Sequence, residues 1–289
     1  MKKILVPTDF SASAANAVNF AVQSAKTLPI DVTIIHVFDE ADSMYTDYMG
    51  VNKEYKAALK QDLRDKLDLL RLSILEAEGI AVKTKLIAGG ITDAIMQEAK
   101  EEQTDLIVMG TFGANGILKK ITGSKTAAVI GNSSIPVLAI PYEYEWKKPQ
   151  RFLLATNHFE KEPKLLNFLF ELAALYIADV KVAVYTDEQR DSAFTMVEHS
   201  HDAASFERML KERYHESAIE TTHLYGENFG ETLQHHITRQ QIDILVMITY
   251  QRSLISRVFH PSITKQMSYI TSVPLLVLPA GPANEHPSN

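Results

Sequence analysis

A chain of 289 residues, 46% of them apolar, is long enough for one large or two ordinary globular domains. Its formal charge of -7 lacks the clustered Lys and Arg that DNA or RNA requires, and the absence of cysteine excludes disulfide scaffolds, thiolate metal sites and thiol redox chemistry. No membrane partner is expected either, because the apolar run Ile4-Leu5-Val6 is broken by Pro7 and Asp9, too soon for a signal segment or a span; the expected location is cytoplasmic.

Short apolar runs alternate with longer amphipathic ones. The expected strands are Lys3 to Pro7, Asp31 to Phe38, Val82 to Ile87, Leu106 to Met109 and Val137 to Ile140. Between them, Ala12 to Thr27, Lys53 to Glu78, Ile91 to Glu102 and Ser124 to Asn132 have helical spacing, with Ser11 or Ser13 as first cap and Gly79 as a stop. Such alternation predicts a parallel sheet covered on both faces, joined by right-handed crossovers.

The pattern then recurs. Lys3-Ile4-Leu5-Val6-Pro7-Thr8-Asp9 aligns with Arg151-Phe152-Leu153-Leu154-Ala155-Thr156-Asn157, and Asp31-Val32 with Asp179-Val180 at the same offset. At a shorter offset, Asp105-Leu106-Ile107-Val108-Met109 aligns with Asp243-Ile244-Leu245-Val246-Met247, and Ile135-Pro136-Val137-Leu138 with Val273-Pro274-Leu275-Leu276. The first copy therefore carries extra residues between Asp39 and Ile80. The expected organisation is a domain at 1–141, a polar linker at 142–150, a second domain at 151–279 and a loose tail at 280–289.

One motif bears chemistry. Gly110 and Gly113 follow the run Leu106 to Met109, and Gly123-Ser124 opens the next helix ahead of Lys125 and Thr126. Glycines at a strand end permit close backbone approach to a ligand, and a helix start offers unpaired N–H groups and a positive dipole end to phosphate. The order Gly123-Ser124-Lys125-Thr126 is not a Walker A loop, and no G-x-G-x-x-G follows the first strand. The Pro7-Thr8-Asp9 turn lies at another strand end, so both features converge on one crevice beyond the sheet's carboxyl edge.

On these residues the chain resembles the universal stress protein family in its tandem, two-domain form: the opening Ile-Leu-Val-Pro-Thr-Asp, the second-strand Ile35-His36-Val37, the glycine motif and Ser134-Ile135-Pro136-Val137-Leu138 all match. The resemblance implies two doubly wound, five-stranded α/β domains, Rossmann-like and of the adenine nucleotide alpha hydrolase-like kind, related by a pseudo-two-fold axis. It implies ATP in the first domain, with Mg2+ held through the phosphates rather than by protein ligands. Asp9 and Val37 would lie at adenine and ribose with Pro7 and Thr8 in the same turn, Met109, Gly110 and Gly113 along ribose and phosphates, and Gly123, Ser124, Lys125 and Thr126 at the phosphates. It further implies pairing of the two domains through Val137–Ile140 and Leu275–Leu278, which would cover two apolar edges, and leaves room for a homodimer of chains.

The second copy departs from this pattern. Val37 is replaced by Tyr185, Asp9 by Asn157, Gly110 by Ile248, Gly113 by Gln251 and Gly123 by Pro261, with Ser262 kept opposite Ser124. Side chains stand where backbone should meet phosphate, and Pro261 brings no N–H, so this domain is not expected to bind ATP. Arg252, Arg257 and His260 in its altered loop read as a solvated loop or dimer contact, or as an anion contact. His36, inside an apolar strand, reads as a satisfied sheet-end histidine. The groups Glu198-His199-Ser200-His201-Asp202 and His235-His236 lack a metal spacing, and no metal ligand or catalytic residue is assigned. Tyr45, Tyr48 and Met49, in the insertion, read as a candidate flap over the crevice.

The expected function is a stress-response regulator that binds ATP in its first domain. Two alternatives stand beside it: a slow ATPase or phosphotransfer protein, for which no base or arginine finger is evident, and a nucleotide-free interaction scaffold.

Overall fold

The computed structural model describes residues 1–38, 53–111, 125–156, 163–187, 193–215, 219–250 and 272–280. The chain divides into two compact units, Met1–Trp146 and Lys147–Asn289.

In the first unit β1 (Lys3–Pro7), β2 (Asp31–Phe38), β3 (Lys83–Ala88), β4 (Leu106–Thr111) and β5 (Val137–Pro141) form a parallel sheet in the order β3-β2-β1-β4-β5. The crossovers carry α1 (Ala12–Ala25), α2 (Lys53–Glu78), α3 (Ile91–Glu101) and α4 (Lys125–Asn132). The expected strands and helices are all present, with ends within two residues. Continuous apolar runs make the central strands because both faces are covered: Leu5, Ile34, Ile107 and Ala139 are fully buried. Ser11 caps α1, its Oγ accepting from the Ala14 N–H at 3.3 Å. Gly79 stops α2 at φ +70°, its N–H donating to the Leu75 carbonyl.

The second unit repeats the plan with β6 (Arg151–Thr156), β7 (Asp179–Asp187), β8 (Glu220–Gly226), β9 (Ile244–Tyr250) and β10 (Leu275–Ala280), ordered β10-β9-β6-β7-β8 and parallel throughout. Its helices are α5 (Pro163–Tyr176), α6 (Ala193–Tyr214) and α7 (Phe229–Gln240). Among the described residues no helix is long and apolar enough to cross a membrane.

The repeated aspartates have one architectural task. Asp105 Oδ2 accepts the N–H groups of Lys2 and Lys3 at 2.6 and 3.0 Å, and Asp243 Oδ2 accepts those of Gln150 and Arg151 at 2.8 and 3.0 Å. Each carboxylate thus clasps the start of its unit's central strand, satisfying donors that no neighbouring strand reaches.

The stretch expected as a linker is anchored on the first unit. Trp146, the chain's single tryptophan, meets Phe20 of α1 edge-on at 5.0 Å between ring centroids, and Tyr144 lies 6.1 Å from the same ring. Asn16 Nδ2 donates to the carbonyls of Pro141 and Tyr142. A polar composition hides two aromatic and two amide contacts that hold the chain here to α1.

Candidate functional site

In the first sheet the chain passes from β1 to β2 and β3 on one side, then returns to place β4 and β5 on the other. The crossovers part between β1 and β4, and there a doubly wound sheet opens a crevice at its carboxyl edge. Three of the expected site segments end at it: the Pro7-Thr8-Asp9 turn after β1, Gly110 in β4, and Lys125 at the start of α4.

The turn is tightly determined. Thr8 is buried; its N–H donates to the Ile35 carbonyl at 2.8 Å and its Oγ1 accepts from the Phe10 N–H at 3.1 Å. Asp9 Oδ1 accepts from the Ser11 N–H at 3.0 Å, an Asx turn that hands the chain to the capped helix. His36 Nδ1 donates to the Thr8 carbonyl at 2.7 Å, and its ring stacks on Phe10 at 4.8 Å. This is the satisfied histidine of the sequence reading, with a structural partner on each side.

Asp9 is exposed at the rim of the turn. Crowding by its neighbours, the strongest single influence, pushes its carboxyl up. Hydrogen bonds from Ser11 and the positive charge of Lys125 act the other way and together prevail, so the group lies below the ordinary aspartate range. Lys125, itself exposed and far away in sequence, makes the smallest of these contributions.

Gly110 is also required by packing. A Cβ there would stand 2.0 Å from the Ser13 carbonyl oxygen and 2.9 Å from the Ala14 nitrogen, so the backbone that approaches this glycine is the first turn of α1. Thr126 is likewise committed: it is buried, and its Oγ1 donates to the Gly110 carbonyl at 2.8 Å, tying α4 to β4. Met109 is buried in the core, and Val37 is half-buried at the end of β2, in register with Ile87. Pro7 ends β1 opposite Ile35. Gly113, Gly123 and Ser124 lie outside the described residues, as do Tyr45, Tyr48 and Met49.

Sequence reasoning missed Phe10 as part of the site. Its backbone is left-handed, with φ +60°, a conformation that non-glycine residues rarely adopt, and the residue is 38% exposed beside the turn. An aromatic residue directly after the Pro-Thr-Asp turn was the available signal.

In the second unit Tyr185 occupies the place of Val37. It is buried, its hydroxyl donates to the Gly226 carbonyl at 2.5 Å, and its ring meets Phe229 edge-on at 4.9 Å. Beside it Thr186, fully buried, pairs its Oγ1 with His223 Nε2 at 2.8 Å. Ile248 stands half-buried where the first unit has Gly110. Asn157, Gln251, Arg252, Arg257, His260, Pro261 and Ser262 lie outside the described residues. Among the described residues no three His, Asp or Glu side chains gather as a metal site.

The sequence profile of the universal stress protein family matches residues 1–141 and 149–279. A universal stress protein of Methanocaldococcus jannaschii is 33% identical over 154 residues, covering 48% of this chain and 94% of that protein. A second from the same organism is 30% identical over 150 residues, covering 52% and 84%. The crystal structure of a universal stress protein from Archaeoglobus fulgidus has the same fold, with a TM-score of 0.69 at 16% identity over 96% of each chain.

Proposed function

This chain belongs to the universal stress protein family and carries two such domains in tandem; from that premise we propose that it is a stress-response regulator whose first unit binds ATP with a divalent cation. The observation that supports this reading is that the Pro7-Thr8-Asp9 turn after β1 and the start of α4 at Lys125 both lie at the carboxyl edge of the first sheet, where the chain crosses from β1 to β4. An ionised Asp9 accepts hydrogen bonds from hydroxyl or amino donors of a nucleoside, and half-buried Val37 supplies an apolar wall. Lys125, in the first turn of α4, joins the helix's positive end in attracting phosphate. The motif residues Gly113, Gly123 and Ser124 complete the cradle by family resemblance. Mg2+ fits this set through the phosphates, since it takes few protein ligands.

In this reading occupancy is the signal, and the second unit, with Tyr185 bonded across the place of Val37, is structural or regulatory. A specific observation favours one rival: Gly110 and Thr126 are both explained by internal packing, as a nucleotide-free scaffold would have them. Calorimetric titration of nucleotide-stripped protein with Mg-ATP separates the two. One site per chain, lost in a Gly113→Gln variant that copies the second unit's residue, is the expected result; heat of dilution alone in the unmodified protein would overturn the proposal in favour of the scaffold.

A further inference from the structure

The second unit has an open cavity of about 590 Å³ at the amino edge of its sheet, the end away from any crevice of the nucleotide kind. Its walls are the segment entering β6, the end of α7, and the Ser272-Val273 step that leads into β10. A volume of this size suits a small metabolite.

The charges lining it do not cancel. Asp243, 5% exposed, is saturated: Oδ2 accepts the Gln150 and Arg151 N–H groups, and Oδ1 pairs with Lys147 Nζ at 2.5 Å. Lys147 is thereby neutralised. Arg151 is held by neutral groups instead, its Nη1 donating to Gln241 Oε1 at 3.0 Å and reaching the Gln241 carbonyl at 3.5 Å. These contacts orient the guanidinium, and no carboxylate among the described residues pairs with it. Lys148 is exposed and forms no ion pair among the described residues. The last carbonyls of α7 do not explain the two cations, because those of Ile237 and Thr238 already accept from Ile242 and Gln241 N–H groups.

The polar rim adds a third donor. Ser272 Oγ accepts from Gln234 Nε2 at 2.9 Å, so its own proton is directed elsewhere. Beneath lie Ile237 and Ile242, each 2% exposed. An oriented arginine fork, a free ammonium and a hydroxyl donor over an apolar floor form a donor set for a phosphoryl group attached to a small organic body. In a chain of net charge -7, two cations in one cavity with no carboxylate partner among the described residues are not background.

We propose that this cavity is a second binding site, specific for the phosphoryl group of a small phosphate monoester, with Arg151, Lys148 and Ser272 as its donors. A ligand there clasps the segment from Lys147 to Arg151 against the end of α7. The site is independent of nucleotide binding in the first unit.

The test is amide-resolved NMR of the full chain, titrated separately with glycerol phosphate, with inorganic phosphate and with sodium chloride at matched ionic strength. Saturable shifts at Arg151, Gln241 and Ser272 are expected with the phosphates and not with chloride. Arg151→Gln and Lys148→Gln should each weaken binding about tenfold or more, the loss of one charge-assisted contact. Lys148 is exposed, so its variant folds normally and separates lost binding from lost structure. Tighter binding of glycerol phosphate identifies an organic monoester, and equal binding identifies free phosphate; both support the donor set. Shifts that fail to saturate, that chloride reproduces, or that both variants retain would overturn it.

Discussion

The carbonyl oxygen of Ser13 stands 2.0 Å from where the Cβ of any residue larger than glycine at position 110 would lie. The obstruction is backbone rather than a flexible side-chain end, so it cannot be relieved by a change of rotamer. Gly110→Ala must therefore push α1 away from β4. A loss of about 1–3 kcal/mol or more is expected, as for overpacked cores. Urea unfolding followed by the fluorescence of Trp146, which reports on the first unit alone, should show a lower midpoint; an unchanged one would mean that α1 does not rest on this glycine.

Asp9 has a folded-state affinity for protons below the ordinary aspartate value. Its contribution to stability is present above the unfolded-state pKa and is lost as pH falls through the lower, folded-state value. Wild-type protein should be more stable than Asp9→Asn at neutral pH, and the two should converge in acid below about pH 4. Unfolding curves for both across pH 7 to 3 make the comparison. Parallel curves would show that Ser11 and Lys125 do not hold the carboxylate.

Phe20, 2% exposed, joins α1 to the segment after β5 through Trp146. Phe20→Ala should cost about 3–5 kcal/mol in the first unit, the usual penalty for emptying a core aromatic site. It should also move the Trp146 emission maximum to longer wavelength in folded protein, because the indole loses its apolar neighbour. A stable variant with unshifted emission would refute the contact.

Tyr185→Phe removes one hydroxyl from a buried site and leaves the Gly226 carbonyl without that donor. The expected loss is about 1–3 kcal/mol, confined to the second unit. Circular dichroism melts should show the second unit's transition lowered by several degrees while the Trp146 signal of the first unit stays in place. Coincident shifts in both signals would contradict the assignment.

Local and periodic features were legible in the sequence. β1 and β2 begin and end at the expected residues, Ser11 caps and Gly79 stops their helices, and the internal repeat matches two sheets of the same order. What escaped was contact between distant segments. Gly110 also lies against the Ser13 carbonyl, and nothing in the spacing of a strand residue records which helix turn will cross it. The bond from the Thr126 hydroxyl to the Gly110 carbonyl is likewise made only once α4 packs on β4. The polar segment after Pro141 reads as a linker, and its composition does not announce that Tyr144 and Trp146 pack on Phe20.

The clasp made by Asp105 recurs in Asp243 with the same oxygen holding the same two kinds of donor, while the opposite edge of the two sheets differs at Val37 and Tyr185, and at Gly110 and Ile248. The clasp is kept at one end of the strands while the side chains at the other end change between the two copies. A doubled domain can therefore change the side chains at one end of its strands while keeping the hydrogen bonds that fix the other.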